Sequence, residues 1–191
     1  MADALAPSTE QTPWIVCLDL QDEKSAAPPA DLSRRIATCR RLLAQARRLG
    51  WPLIHVLRGQ GHALEAARGS RPPPIEGLQP RPFETVIFRA GLSAFSDRTF
   101  RALIKGGARR EIVLVAVALG PACLATVLDA HDRGVRLTLV EDTLCAKAMR
   151  RTPAGTVRRV LLAFVAPFAG RTTSGRLFET GPMRPPAAND S

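Results

Sequence analysis

Cys123 is the residue of this chain whose surroundings best suit a nucleophile. It follows an apolar, β-branched run, residues 112–118, and the pair Gly120-Pro121, which ends a strand and begins a helix. In the first turn of a helix, unpaired backbone N–H groups and the positive end of the helix dipole favour a thiolate and offer donors to an oxyanion. A second interpretation stays open, in which Cys123 is a small buried apolar residue.

Two charged residues follow other predicted strands. Asp19 directly follows the apolar residues 15–18, and Arg89 directly follows residues 85–88. Because the carboxyl ends of parallel strands meet at one edge of a sheet, Asp19, Arg89 and Cys123 are expected to converge there. Considered alone, Asp19 is interpreted as a cap or a buried hydrogen-bond acceptor, because a carboxylate beside an apolar strand is costly without a partner. Arg89 alone would be an ordinary surface guanidinium.

Short apolar strands alternate with amphipathic helices along the chain. This order predicts right-handed βαβ units, and hence a mainly parallel sheet covered by helices on both faces, a three-layer α/β/α sandwich of Rossmann type. We expect one domain, residues 13–178, between flexible tails at 1–12 and 179–191. The predicted strands are 14–20, 52–57, 85–88, 112–118, 135–140 and 170–174; helices are predicted after Asp31, Ser96, Gly120 and Thr152.

The one long connection, Gly59–Pro82, is rich in proline and has little periodicity. It leaves the second strand at the edge where α/β sheets bind ligands, so it is predicted to be a lid or a disordered segment. His62 in this connection is a candidate for lining the substrate entrance, although a solvated loop histidine is the more ordinary interpretation. His55 lies inside the second strand and is interpreted as a partly buried wall residue.

Composition excludes several classes of protein. The net charge is +10, and the chain contains 24 Arg but only 3 Lys. The arginines occur in pairs spread along the chain, which indicates a high-GC coding bias more than a nucleic-acid surface. No nucleic-acid-binding motif accompanies them. Four scattered cysteines fit neither a disulfide scaffold nor a zinc knuckle. No secretory signal, membrane span, GxGxxG or P-loop is present. A cytoplasmic protein without a metal or other cofactor is predicted.

Three segments resemble motifs of the isochorismatase-like cysteine hydrolases. IVCLDLQDE (15–23) is similar to the opening strand of that family, and FRAGLSAF (88–95) to its "dK...SaF" segment. VALGPACLATVLDAHDRGVRLTLVEDTLCA (117–146) resembles the segment that contains the family's nucleophile. The motifs occur in the family's order and spacing.

The resemblance implies a six-stranded sheet, a homo-oligomer and an Asp–Lys–Cys triad. Asp19 would take the thiol proton and later protonate the leaving group, while Cys123 attacks a carbonyl and forms a thioester. The backbone N–H groups of Leu119 and Cys123 would hold the oxyanion. A cis peptide bond would fall near Ala118-Leu119.

The chain departs from the family at the lysine, which is Arg89 here, and at the nucleophile turn, where Pro121 removes an N–H group. A guanidinium keeps its charge but is longer, planar and always protonated. Two functions therefore stay open: a hydrolase of a C–N bond in a small amide or ureido compound, and a catalytically impaired member that binds a ligand or a protein. Arg58, His62 and Gln21 are the predicted substrate contacts, and Arg58 favours a substrate that carries a carboxylate.

Overall fold

The computed structural model describes residues 12–22, 28–59, 72–106 and 111–180. Six parallel strands form one sheet in the order β3-β2-β1-β4-β5-β6, with helices on both faces, as predicted. The strands are β1 (Trp14–Leu18), β2 (Leu53–Arg58), β3 (Thr85–Arg89), β4 (Ile112–Ala116), β5 (Leu137–Val140) and β6 (Gly170–Thr172). The helices are α1 (Leu32–Arg48), α2 (Arg98–Gly106), α3 (Pro121–Asp132), α4 (Ala154–Val165) and α5 (Ser174–Thr180), with 3-10 turns at Ala94–Ser96 and Glu141–Thr143.

Several element ends differ from the prediction. Strand β6 stops at Thr172 and is followed by α5, which the sequence did not reveal and which runs into the predicted C-terminal tail. Ser96 does not cap α2; the Asp97 carboxylate accepts a hydrogen bond from the N–H of Phe100 instead. Asp31 holds the N-cap position of α1, but its carboxylate pairs with Arg35 rather than with the helix backbone. Residues 1–11 and 181–191 of the predicted tails lie outside the described residues.

Alternate residues of each central strand build two apolar cores, one on each face of the sheet. On β1, Val16 and Leu18 point to the face covered by α2, α3 and α4, and Ile15 and Cys17 to the face covered by α1 and α5. Because both faces of the central strands are buried, these strands are continuous apolar runs in the sequence. Cys17, Cys39 and Cys145 are buried free thiols, in line with a structural role. None of the helices that the structure describes is long and apolar enough to cross a membrane.

A largely buried polar cluster joins α1, strand β2 and the loop that precedes β3. The Glu84 carboxylate accepts two hydrogen bonds from Arg47, at 2.7 and 2.9 Å, and lies 2.8 Å from Nε2 of His55, which is fully buried rather than partly so. Burial would raise the pKa of Glu84, but the donors, among them the N–H of Arg81, outweigh it and hold the pKa at about 2. Burial also lowers the pKa of His55.

We expect Glu84→Gln to lower the free energy of unfolding by about 2–3 kcal/mol at pH 7, because it leaves Arg47 without its carboxylate. The folded-state pKa of Glu84 is depressed, so its contribution is complete above its unfolded value and is lost as pH falls through the folded value near 2. Urea unfolding at pH 7 and pH 3 should therefore show a smaller difference between wild type and variant at pH 3. The exposed Glu76→Gln serves as the control; an equal difference at both pH values would contradict the assignment.

Candidate active site

Asp19 and Arg89 form a largely buried ion pair at the carboxyl edge of the sheet. The guanidinium of Arg89 donates from Nε to Oδ1 of Asp19 at 3.0 Å and from Nη2 to Oδ2, so the pair is bidentate. Only 3% of Arg89 is exposed. Its third side, Nη1, donates to the carbonyl oxygen of Gly91. All faces of this guanidinium fork are therefore engaged by the protein, which a lysine ammonium has no planar donors to reproduce.

The loop after β3 fixes the carbonyl that Arg89 uses. The N–H of Gly91 donates to Oγ of Ser96 at 2.8 Å, and that hydroxyl donates to the carbonyl of Ser93 at 2.7 Å. A Cβ at Gly91 would lie 2.8 Å from Cβ of Ser96, closer than side chains normally approach. Gly91 was not singled out from the sequence, although it lies in the FRAGLSAF segment, and Ser96 was predicted only as the start of a helix. Together they hold the carbonyl group that Arg89 uses.

Asp19 owes its orientation to an unusual backbone conformation. Its φ angle of 49° lies in the left-handed region, which aspartate tolerates better than most residues, and its N–H donates to the carbonyl of Val56 at 2.9 Å. This turn ends β1 and directs the carboxylate toward Arg89. Nε of Arg58, the last residue of β2, lies 3.7 Å from Oδ2 of Asp19, so a second guanidinium borders the same carboxylate.

Cys123 lies in the first turn of α3, as predicted, with Pro121 as the first helical residue after the extended Gly120. The thiol is 1% exposed. Burial, and then the negative charge of Asp19, raise the pKa of Cys123 to about 12. Because burial is the main cause, the thiolate is disfavoured in the resting protein, contrary to the expectation from the helix position. Asp19 and Cys123 follow the neighbouring parallel strands β1 and β4 at the same carboxyl edge of the sheet, and the charge of Asp19 adds to the raised pKa.

The predicted oxyanion donors are met only in part. The N–H of Leu119 donates to the carbonyl of Cys145 at 2.8 Å, so it does not point into the site. This corrects the assignment of Leu119. The peptide bond between Ala118 and Leu119 is trans, and no cis peptide occurs among the described residues, contrary to the prediction. The N–H of Cys123 belongs to the first turn of α3, where no helical carbonyl precedes it.

Gln21 is a structural clamp and not an exposed substrate contact. Its side chain is buried; Nε2 donates to the carbonyl of Pro72 at 2.9 Å, and Oε1 accepts from the N–H of Arg58 at 2.8 Å. Two backbone bonds, from Ile75 to Leu20 and from Asp22 to Pro73, complete the attachment. The end of the long connection is thereby fixed beside Asp19, and the sequence prediction for Gln21 is corrected.

We expect Gln21→Ala to lower the free energy of unfolding by about 2 kcal/mol, since it leaves two backbone groups without their side-chain partners. Urea unfolding monitored by tryptophan fluorescence measures the change. Gln79→Ala, at an exposed glutamine, is the matched control and should cost well under half as much. Equal costs in the two variants would show that the clamp contributes nothing.

His62, the last of the sequence candidates, lies outside the described residues. His131 is in the last turn of α3 and packs edge-on against Phe168, with 5.2 Å between ring centroids, remote from Cys123 along the helix. Among the described residues, no group of three or more His, Cys, Asp and Glu side chains is arranged to hold a metal ion.

The comparisons with known proteins agree with this architecture. The model of the Isochorismatase domain matches residues 13–166, and the chain therefore belongs to the isochorismatase family. No curated protein matches the chain.

Solved structures from several bacteria share the fold. An isochorismatase from Pseudomonas putida KT2440 is 25% identical, with 89% of this chain and 92% of that chain covered and a TM-score of 0.76. A protein assigned to the isochorismatase family of hydrolases, from Chromobacterium violaceum ATCC 12472, is 26% identical over 94% and 97% of the two chains, with a TM-score of 0.77. A cysteine hydrolase from Pseudomonas syringae pv. phaseolicola 1448A shares the fold at 16% identity, covering 91% and 93%, with a TM-score of 0.74.

Proposed function

We propose that this chain is a cysteine-dependent hydrolase that cleaves a C–N bond of a small amide or ureido compound through a thioester. The observation that carries the proposal is the meeting of a carboxylate, a guanidinium and a thiol at one sheet edge, with Asp19 bound by Arg89 and electrostatically coupled to Cys123. The cysteine hydrolase from Pseudomonas syringae supports cysteine-dependent hydrolysis only through the shared fold.

In the proposed reaction, Asp19 accepts the proton of the Cys123 thiol as sulfur attacks the carbonyl carbon. The carbon–nitrogen bond breaks, and the amine leaves with the proton that Asp19 returns. Water then attacks the thioester and gives a proton to Asp19; the carbon–sulfur bond breaks, the acid product departs, and Asp19 returns the proton to sulfur, which restores the thiol. A carboxylate has about four lone-pair sites, so Asp19 can accept the thiol proton while both oxygens remain bonded to Arg89.

The raised pKa of Cys123 determines the point in the reaction at which the thiol loses its proton. A thiol that is neutral at rest must lose its proton during attack, in step with transfer to Asp19. Arg89 holds the carboxylate of Asp19 in place through its two hydrogen bonds. The N–H of Cys123 is the remaining donor proposed for the oxyanion.

A catalytically silent, ligand-binding protein is the second candidate. It is favoured by the engagement of the Leu119 N–H with Cys145 and by the burial of Cys123, both of which limit an oxyanion site. A carboxylate-bearing ligand near Arg58, a homo-oligomeric state and a cytoplasmic location stay predictions under either candidate.

Trapping of the acyl-enzyme tests the proposal. The protein is incubated with a panel of simple amides and ureido acids, ammonia release is measured, and acylated Cys123 is identified by peptide mass spectrometry after acid quench. Hydroxylamine should convert the thioester to a hydroxamate. Ammonia release without labelling of Cys123, or labelling that persists in Asp19→Asn at the wild-type rate, would overturn the mechanism.

A further inference from the structure

Residues 147–178 carry a strong positive charge. Like residues 32–64, this stretch has seven basic and no acidic residues. It forms the loop before α4, then α4, β6 and most of α5. The basic residues are Lys147, Arg150, Arg151, Arg158, Arg159, Arg171 and Arg176.

Three of these arginines line a groove that runs along α4 beside the edge strand β6. Its volume is about 750 Å³, within the usual range for small-molecule sites. The arginines are 158, 159 and 171, and the rest of the lining consists of small or aliphatic residues: Gly155, Leu162, Ala163 and Ala166. None of the lining residues is acidic. The groove thus combines cationic groups with an apolar floor.

Arg158 is held rigidly at one side of the groove. Its Nε donates to the carbonyl of Leu144 at 2.9 Å, and its Nη2 to the carbonyl of Glu141 at 2.6 Å. These bonds use two of the five guanidinium N–H groups. Burial, and then the nearby positive charge of Arg35, lower the pKa of Arg158.

The other two arginines are exposed and only loosely bound to protein atoms. Nη1 of Arg171 lies 3.7 Å from the carboxylate of Glu141, and Nη2 of Arg159 lies 3.5 Å from the hydroxyl of Thr156. Both guanidinium groups can therefore turn toward an anion at little cost. A preorganised cation between two adaptable ones is an arrangement that suits a phosphate or carboxylate group.

We infer that the groove between α4 and β6 is a binding site for a small organic anion, a phosphate or carboxylate joined to an apolar body. The anionic group pairs with the three arginines, and the apolar body lies against Leu162, Ala163 and Ala166. Neither α4 nor β6 contributes a residue to the Asp19–Arg89–Cys123 site, so this proposal is independent of the proposed hydrolase activity.

Equilibrium binding of 1-naphthyl phosphate to the whole protein, followed by its fluorescence, tests the site. The double variant Arg159→Gln/Arg171→Gln should weaken binding by about tenfold or more, the equivalent of roughly 1.4 kcal/mol. It leaves Arg158 and its structural bonds in place. The double variant Arg41→Gln/Arg48→Gln changes the net charge equally on the exposed face of α1 and should leave the affinity within about twofold.

Two further probes separate this site from generic attraction. Neutral 1-naphthol should bind more weakly than its phosphate, and a short single-stranded oligonucleotide should not displace naphthyl phosphate at low micromolar concentration. The inference is overturned if both double variants lose affinity equally, if naphthol binds as well as its phosphate, or if the oligonucleotide is the tighter ligand with a steep salt dependence.

Discussion

Cys123→Ser is expected to reduce hydrolysis of an active amide or ureido substrate by roughly 10³-fold or more, while the fold is retained. A serine hydroxyl is far less acidic and less nucleophilic than a thiol, so attack on the substrate carbonyl becomes much slower. Steady-state turnover and the absence of a trapped acyl-enzyme measure the effect. Binding of substrate or product should change little.

Cys39→Ala is the matched control for this experiment, because Cys39 is equally buried but lies on α1, at the opposite face of the sheet. It should lose some stability through the small cavity and keep its turnover. Turnover in Cys123→Ser within a few fold of wild type would exclude Cys123 as the nucleophile.

The raised pKa of Cys123 also predicts how its thiol reacts with an alkylating agent when no substrate is present. Alkylation of Cys123 by iodoacetamide should be slow at pH 7 and still be rising at pH 10, because burial and Asp19 both disfavour the thiolate. A half-maximal rate below pH 8 would contradict the environment described above.

Arg89→Lys is expected to lower kcat/KM by roughly 10²-fold, even though it restores the residue type that the resemblance implies. Arginine here donates to both oxygens of Asp19 and to the carbonyl of Gly91; a lysine ammonium is shorter and has no planar fork to meet all three. The lysine variant leaves part of a buried ion pair unsatisfied, so a lower unfolding midpoint should accompany the loss of activity.

Arg101→Lys provides the comparison, since Arg101 supports the same loop by donating to the carbonyls of Phe95 and Ser96 but does not touch Asp19. Its effect on kcat/KM should be below about threefold. The opposite result for Arg89→Lys, a gain of turnover in an otherwise silent protein, would favour the catalytically impaired candidate: the site would have lost its chemistry at this position.

The fold follows closely from features local in sequence. Apolar runs such as residues 112–116 are buried on both faces, and the alternation of such runs with amphipathic helices leaves a covered parallel sheet as the consistent arrangement. Helix α3 begins at Pro121 because Gly120-Pro121 is a local signal that needs no tertiary contact. Helix α5 was missed because its seven residues carry too little periodicity, and a partner distant in sequence, the Asp142 carboxylate, bonds to Ser174 at its start.

Only the tertiary structure decided the hydrogen-bond partners, the burial and the pKa values of the groups at this sheet edge. Sequence determined that Asp19, Arg89 and Cys123 stand at strand ends, and hence at one sheet edge. It did not determine that both oxygens of Asp19 bind Arg89, that Gln21 is buried with its amide committed to backbone groups, or that the Leu119 N–H turns to Cys145. Hydrogen-bond partners and pKa values depend on distances and burial among residues far apart in the chain, such as Asp19 and Arg89, which are 70 positions apart, and no local pattern encodes them.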